Sequence, residues 1–186
     1  MTRIASTLQY KNIAQSGFTL IELITVIAVV SILAIVVVPR FFGNSGFSEY
    51  AYQQQFTAAM RNIQIKAIYD TRDNFCYKMI LNTSANPQYG ASSDSYLAGD
   101  EASSCGNTID ANSPDYLRSD SSELNQASIS ISALDAGNVI SFIQFDNLGR
   151  PITSSGTCSA TCRINFIGED TLSVCIEPQG YIYACS

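Results

Sequence analysis

The chain has 186 residues, 46% hydrophobic and 14% charged, with a mean hydropathy of +0.10. A soluble domain carries about 25% charged residues, so this shortage suits one apolar segment joined to one ordinary domain. Ten bases against sixteen acids give a net charge of -6, which argues against a nucleic-acid partner, and the absence of His excludes Ser/His/Asp triads, Cys/His dyads and His-bearing metal sites. The composition therefore predicts a protein that is not an enzyme and holds no cofactor or metal.

Residues 1–17 carry Arg3 and Lys11 and no acid. Across residues 18–38 the only charge is Glu22, among Leu, Ile, Val and Ala. A helix of that length spans a hydrocarbon core of about 30 Å. Pro39 and Arg40 close the run. The preceding positive charge predicts a cytoplasmic N-terminus and a domain on the far side. A cleaved secretory signal fits poorly: the run is long, and residues 36–40 offer no small-x-small site.

Glu22 is the anomaly, since a carboxylate in a bilayer segment costs several kcal/mol unless it finds a partner. A cut between Gly17 and Phe18 would create an α-amine one helical turn away. Glu22 of one subunit could then pair with the amine of the next. Each subunit offers both halves of that bond, so the contact is head-to-tail and builds a filament. A buried pair of this kind sets register more than net stability.

The residues Gly17-Phe18-Thr19-Leu20-Ile21-Glu22-Leu23 resemble the prepilin cleavage motif of type IV pilins and type II secretion pseudopilins at each position. The resemblance implies an α+β pilin fold, with a long N-terminal helix packed on an antiparallel sheet. It implies cleavage after Gly17 by a prepilin peptidase and N-methylation of Phe18. Thr19 and Glu22 would serve assembly, and Pro39 falls where many pilins kink the helix. Partners implied are other pilin subunits through the N-terminal helix, the peptidase, the pilus assembly platform and the bacterial inner membrane, with later transfer to the cell surface. The organisation expected is a leader at 1–17, a transmembrane and filament-core helix at 18–38, a bend and amphipathic half-helix at 39–74, and a periplasmic β-domain at 75–186.

Within the domain, Phe47, Ala51, Ala58, Ile65 and Ile68 trace one apolar stripe of a helix, and Phe56, Ala59, Met60, Ile63 and Ala67 a second. Both are expected in the core. Residues 75–81 read as a first strand. Residues 82–136 are rich in Ser, Asn and Asp and read as a long polar surface insertion, with calcium binding by its acids disfavoured by the lack of any EF-hand spacing. Strands follow at 138–145, 163–167, 171–177 and 181–185, joined by Gly-bearing turns into one sheet of at least four strands.

The segment from Ile143 to Pro151 with Gly180-Tyr181-Ile182 is similar to the minor pilin and pseudopilin-H branch. Residues 39–50 make the chain look most like the minor pilins of the mannose-sensitive haemagglutinin (MSHA) pilus, the third of them above all. The reading is thus a minor pilin of an adhesive pilus. The alternatives are a type II secretion minor pseudopilin and an adhesin-like subunit acting through 82–136.

Cys76, Cys105, Cys158, Cys162, Cys175 and Cys185 all follow the apolar run, on the side where disulfides form. Six cysteines allow fifteen connectivities. Pairing of Cys76 with Cys105 is expected because both precede the sheet, leaving four to staple the C-terminal hairpins to one another. Zinc at Cys158-x3-Cys162 is the rival reading, and the oxidising compartment argues against it.

Overall fold

The computed structural model describes residues 18–42, 47–70, 76–96 and 102–185. The chain divides into two units after Gly43. The first contains α1 (Leu20–Phe42), whose apolar sequence continues as helix past Pro39, the expected kink position.

The second unit opens with α2 (Ser48–Tyr69). It continues through β1 (Lys78–Asn82), β2 (Gln88–Tyr96), β3 (Ala102–Ile109), a 3-10 turn (Asp115–Leu117) and α3 (Ser121–Gln126). Then come β4 (Ser130–Asp135), β5 (Asn138–Val139), β6 (Phe142–Phe145), β7 (Pro151–Thr153), β8 (Gly156–Thr157), β9 (Cys162–Ile167), β10 (Thr171–Ile176) and β11 (Ile182–Cys185). The class is α+β, and every strand pair is antiparallel.

There are two sheets among the described residues rather than one, in the orders β3-β2-β1-β6-β7-β8 and β11-β10-β9-β4-β5. The strand expected at 138–145 is split between them. Its start, β5, pairs with β4, and its end, β6, pairs with β1. The crossing is at Ile140, which is fully buried and donates its N–H to the Ala133 carbonyl at 3.0 Å.

The polar stretch 82–136 is not a surface insertion. It supplies β2 and β3 to the first sheet and β4 to the second, where Ser130 to Asp135 run antiparallel to Ile167 to Cys162. Its serines mislead because they alternate with Ile131, Ala133 and other inward residues, so composition hides a period of two. Tyr89, Leu117, Leu124 and Ile129 from the same stretch are buried.

The core sits where α2 meets both sheets. Phe56 of α2, Tyr89 of β2 and Phe166 of β9 meet edge to face, with ring centroids 5.0, 5.5 and 6.2 Å apart. A second junction joins two turns to the helix. Gln64 donates from Nε2 to the carbonyls of Gly149 at 2.8 Å and Gly180 at 2.6 Å. Both glycines have positive φ, +74° and +92°. A Cβ on Gly180 would strike the Gly149 carbonyl and Gln64, and one on Gly149 would lie 2.8 Å from Ile68 Cδ1. Only glycine fits where two turns and a helix converge.

Asp146 holds the turn that carries Gly149. It accepts from Leu148 N–H at 2.9 Å and Arg150 N–H at 2.8 Å, and pairs with the Arg150 guanidinium at 2.8 Å. Burial works to raise its carboxyl, but the bonds from Arg150 and Leu148 overcome that and hold it below the usual 3.8.

The six cysteines form three disulfides: Cys76–Cys105, Cys158–Cys162 and Cys175–Cys185, with Cα separations of 5.5, 5.5 and 5.8 Å. The first ties the segment entering β1 to β3. The other four do not staple hairpins to one another. Cys158–Cys162 closes a turn ahead of β9, and Cys175–Cys185 clips β11 to β10 within one hairpin. The register explains this, since β10 and β11 are adjacent and bring Cys175 opposite Tyr183, two residues from Cys185.

Gly180→Ala should lower the unfolding free energy by about 1–3 kcal/mol through backbone strain, read by denaturant unfolding. Removing the disulfides singly by paired Cys→Ser changes should rank by loop length. With separations of 29, 10 and 4 residues, the chain-entropy relation gives about 3.6, 2.7 and 1.9 kcal/mol for Cys76–Cys105, Cys175–Cys185 and Cys158–Cys162. Acid should act through Asp146. Its folded value lies below its unfolded value, so its contribution is present above 3.8 and lost as pH falls through the folded value. Wild type should lose more stability than Asp146→Asn on acidification from about pH 5 to pH 2 in the same unfolding assay.

Candidate assembly segment

The polar groups of α1 are few, and the described ones bond within their own segment. Thr25 Oγ1 donates to the Glu22 carbonyl at 2.9 Å, and Ser31 Oγ to the Ile27 carbonyl at 2.7 Å. Thr19 N–H donates to Glu22 Oε2 at 3.4 Å, and Glu22 N–H donates to Thr19 Oγ1 at 3.3 Å. The structure thus joins two of the residues expected to serve assembly. The joining signal was present in the sequence as the spacing Thr-x-x-Glu, which marks a helix start.

Phe18 stands just outside the helix and is 87% exposed. Gly17 lies outside the described residues. The described side chains of α1, up to Ala34, are all exposed. Among the described residues no helix is long and apolar enough to cross a membrane.

In the second unit, α2 separates the two apolar stripes seen in the sequence. Phe56, Ala59, Met60, Ile63 and Ala67 are buried. Phe47, Ala51, Ala58, Ile65 and Ile68 are exposed, so the expectation that both stripes enter the core is corrected. A helix lying on sheets buries one face and leaves the other out. Tyr50 and Tyr69 add to the exposed apolar surface.

The acids of 82–136 do local work. Asp110 accepts from Asn112 N–H at 2.9 Å, Asp115 pairs with Arg118 at 2.9 Å, and Asp120 caps α3 by accepting from Ser122 N–H at 2.7 Å. The Ser122 hydroxyl and amide hold the Asp120 carboxyl below the usual range. Glu123 reaches a groove that it lines with Phe47, Glu49, Tyr52 and Glu169. Burial first, then Glu123 and Asp120, push the Tyr52 hydroxyl up.

Among the described residues, one group has metal-ligand proximity: Asp135, Cys158 and Cys162, whose ligand atoms lie within 4.8 Å of one another. Cys158 and Cys162 are bonded to each other, so neither sulfur is a thiolate. The Asp135 carboxylate accepts from Thr153 Oγ1 at 2.8 Å and Ser155 Oγ at 3.1 Å. The chemistry of this group is therefore that of a buried, hydrogen-bonded acid beside a disulfide.

Residues 13–38 match the family model described as the prokaryotic N-terminal methylation motif. No curated protein matches the chain. The crystal structure of the type IV minor pilin FimU of Pseudomonas aeruginosa (strain PAO1) is similar to it at 12% identity. That similarity covers 74% of this chain and 92% of that chain, with a TM-score of 0.44. The family match thus lies at the start of the chain, and Gly17, Phe18, Thr19 and Glu22 all fall within it.

Proposed function

We propose that the chain is the precursor of a minor pilin, cut after Gly17, N-methylated on Phe18 and built into a filament through α1. The carrying observation is the methylation motif over residues 13–38 with Glu22 inside it. Residues 18–38 would hold the precursor in the inner membrane, with the domain in the periplasm. Three disulfides suit that oxidising side.

The exposed side chains of α1 and the outer stripe of α2 support the packing role. Neither finds cover within its own unit, and an apolar helix face of this kind is stable in lipid or against other subunits. Of the pili that such a chain could serve, the resemblance carried by residues 39–50 favours an adhesive pilus of the MSHA type. The polar stretch 82–136 is not a detachable binding loop, since its Tyr89, Leu117, Leu124 and Ile129 are core residues. An adhesive contact would have to use the surface of that stretch rather than the stretch as a module.

Mass spectrometry of the mature protein should find methylated Phe18 at the N-terminus; an intact Met1 contradicts the reading. Glu22→Ala should remain in the membrane fraction, while its recovery in sheared filaments falls at least about tenfold, as expected when a buried charge loses its counter-ion. Normal recovery would sink the proposed pairing of Glu22 with a neighbour's amine.

A further inference from the structure

Two observations meet beside the N-terminal end of α2. The first is the groove lined by Phe47, Tyr52, Glu49, Glu123 and Glu169 among others, with a volume of about 860 Å³, in the range of a ligand pocket. Its lining holds three acids and no base. Glu49 is spent on the fold, since it is buried and accepts from Glu169 N–H at 2.7 Å. Glu123 and Glu169 are exposed, and neither is in an ion pair among the described residues. Arg118, which lines an adjoining groove with Glu123, is taken by Asp115 at 2.9 Å. The groove thus sets two carboxylates beside the rings of Phe47 and Tyr52, and its lining supplies no cation to balance them.

The second observation is the hydroxyl of Tyr89. This side chain is fully buried, with its ring edge to face on Phe56 and Phe166. Its oxygen has no hydrogen-bond partner among the described residues, which is an unfavourable state for a buried polar group. Burial first, then Tyr52 and Glu123, push this hydroxyl up. Tyr52 and Glu123 both line the groove, so the orphan oxygen faces the side of the core that the groove covers.

We propose that the groove takes an arginine of a neighbouring filament subunit, its guanidinium paired with Glu123 and Glu169 and donating to the Tyr89 hydroxyl. The identity of the partner rests on the filament reading above; the acidic groove and the orphan oxygen do not. A guanidinium suits the site because it stacks on aromatic faces, pairs with carboxylates and has donors to spare. A neighbouring subunit suits it because Phe47 and Ala51 belong both to the groove and to the outer stripe of α2. A subunit that covers the stripe therefore lies over the groove as well. Its cation settles two charges, and its donors satisfy an oxygen that the domain leaves alone.

The test uses the full-length chain in detergent micelles, with labelled tyrosines followed by NMR. The probe is the blocked tripeptide Ala-Arg-Ala, with Ala-Gln-Ala as control. The arginine peptide should shift the Tyr52 and Tyr89 signals, and the glutamine peptide should not. Glu123→Gln with Glu169→Gln should weaken binding about fivefold, as two exposed ion pairs of ordinary strength require. Tyr89→Phe should weaken it by a similar factor while the unfolding midpoint of the free protein does not fall, because the change removes an unpaired group. Equal shifts with both peptides, or equal binding by wild type and the Gln pair, overturns the proposal. In cells, Glu123→Lys with Glu169→Lys should keep its membrane pool and lose at least about tenfold in sheared filaments, since like charges repel the incoming cation. Normal recovery of that variant from filaments of processed protein overturns the assignment of the partner. An unprocessed wild-type N-terminus instead overturns the filament reading, and the partner with it, whatever the peptide shows.

Discussion

The domain depends on a ladder of polar side chains down the sheet-facing side of α2. Glu49 accepts from Glu169 N–H at 2.7 Å, and Gln53 donates to the Ser173 carbonyl at 2.7 Å. Arg61 donates to the Ile182 carbonyl at 2.8 Å, and Gln64 to those of Gly149 and Gly180. These partners are main-chain groups in turns (Gly149, Glu169, Gly180), on the interior strand β10 (Ser173) and at the start of the edge strand β11 (Ile182). Apolar packing by itself would let a helix slide or rotate by a residue. Directional bonds to fixed carbonyls do not, and a buried polar group left without its partner costs about 1–3 kcal/mol. The ladder therefore sets both the register and the rotation of α2.

Rotation decides which face of α2 is left outside. α2 carries two apolar stripes, and the ladder turns one into the core with Phe56 and Met60. The other, from Phe47 to Ile68, is left facing out. The domain's own fold leaves that second stripe uncovered among the described residues. The same division of labour recurs at the N-terminus. The described polar side chains of α1 bond within their own segment, and its described apolar side chains are exposed. Thr25 and Ser31 return their hydroxyls to the helix, and Thr19 and Glu22 satisfy each other. Hydroxyls returned to the helix in this way leave no donor of their own unpaired in apolar surroundings.

The resemblance to pilins rested at its C-terminal end on residues such as Gly149 and Gly180, and the structure gives them a mechanical reason. Both close turns at positive φ, and both hand a carbonyl to Gln64, so two distant turns and one helix form a single joint. Asp146 fixes the first of those turns through Arg150. A Gly and an Asp that look like ordinary turn punctuation are in fact the contacts by which the β-domain holds its helix.

The sequence by itself determined the N-terminal segment, the helical character of α2, the later strands and the absence of triad chemistry. Each of these rests on local information: an apolar run, a period of 3.6 or 2, or a residue type that is missing. It did not determine the fate of 82–136, because Ser, Asn and Asp there alternate with the few apolar residues that matter. Composition averages over that alternation, and only pairing of β4 with β9 reveals it. Nor did it determine which α2 stripe is buried, which sheet each half of 138–145 joins, or that Cys175 and Cys185 close a single hairpin. Those choices depend on which backbone groups lie opposite one another in space. Strand register and the Glu49–Gln64 ladder fix that, and both are made of contacts between residues far apart in the chain.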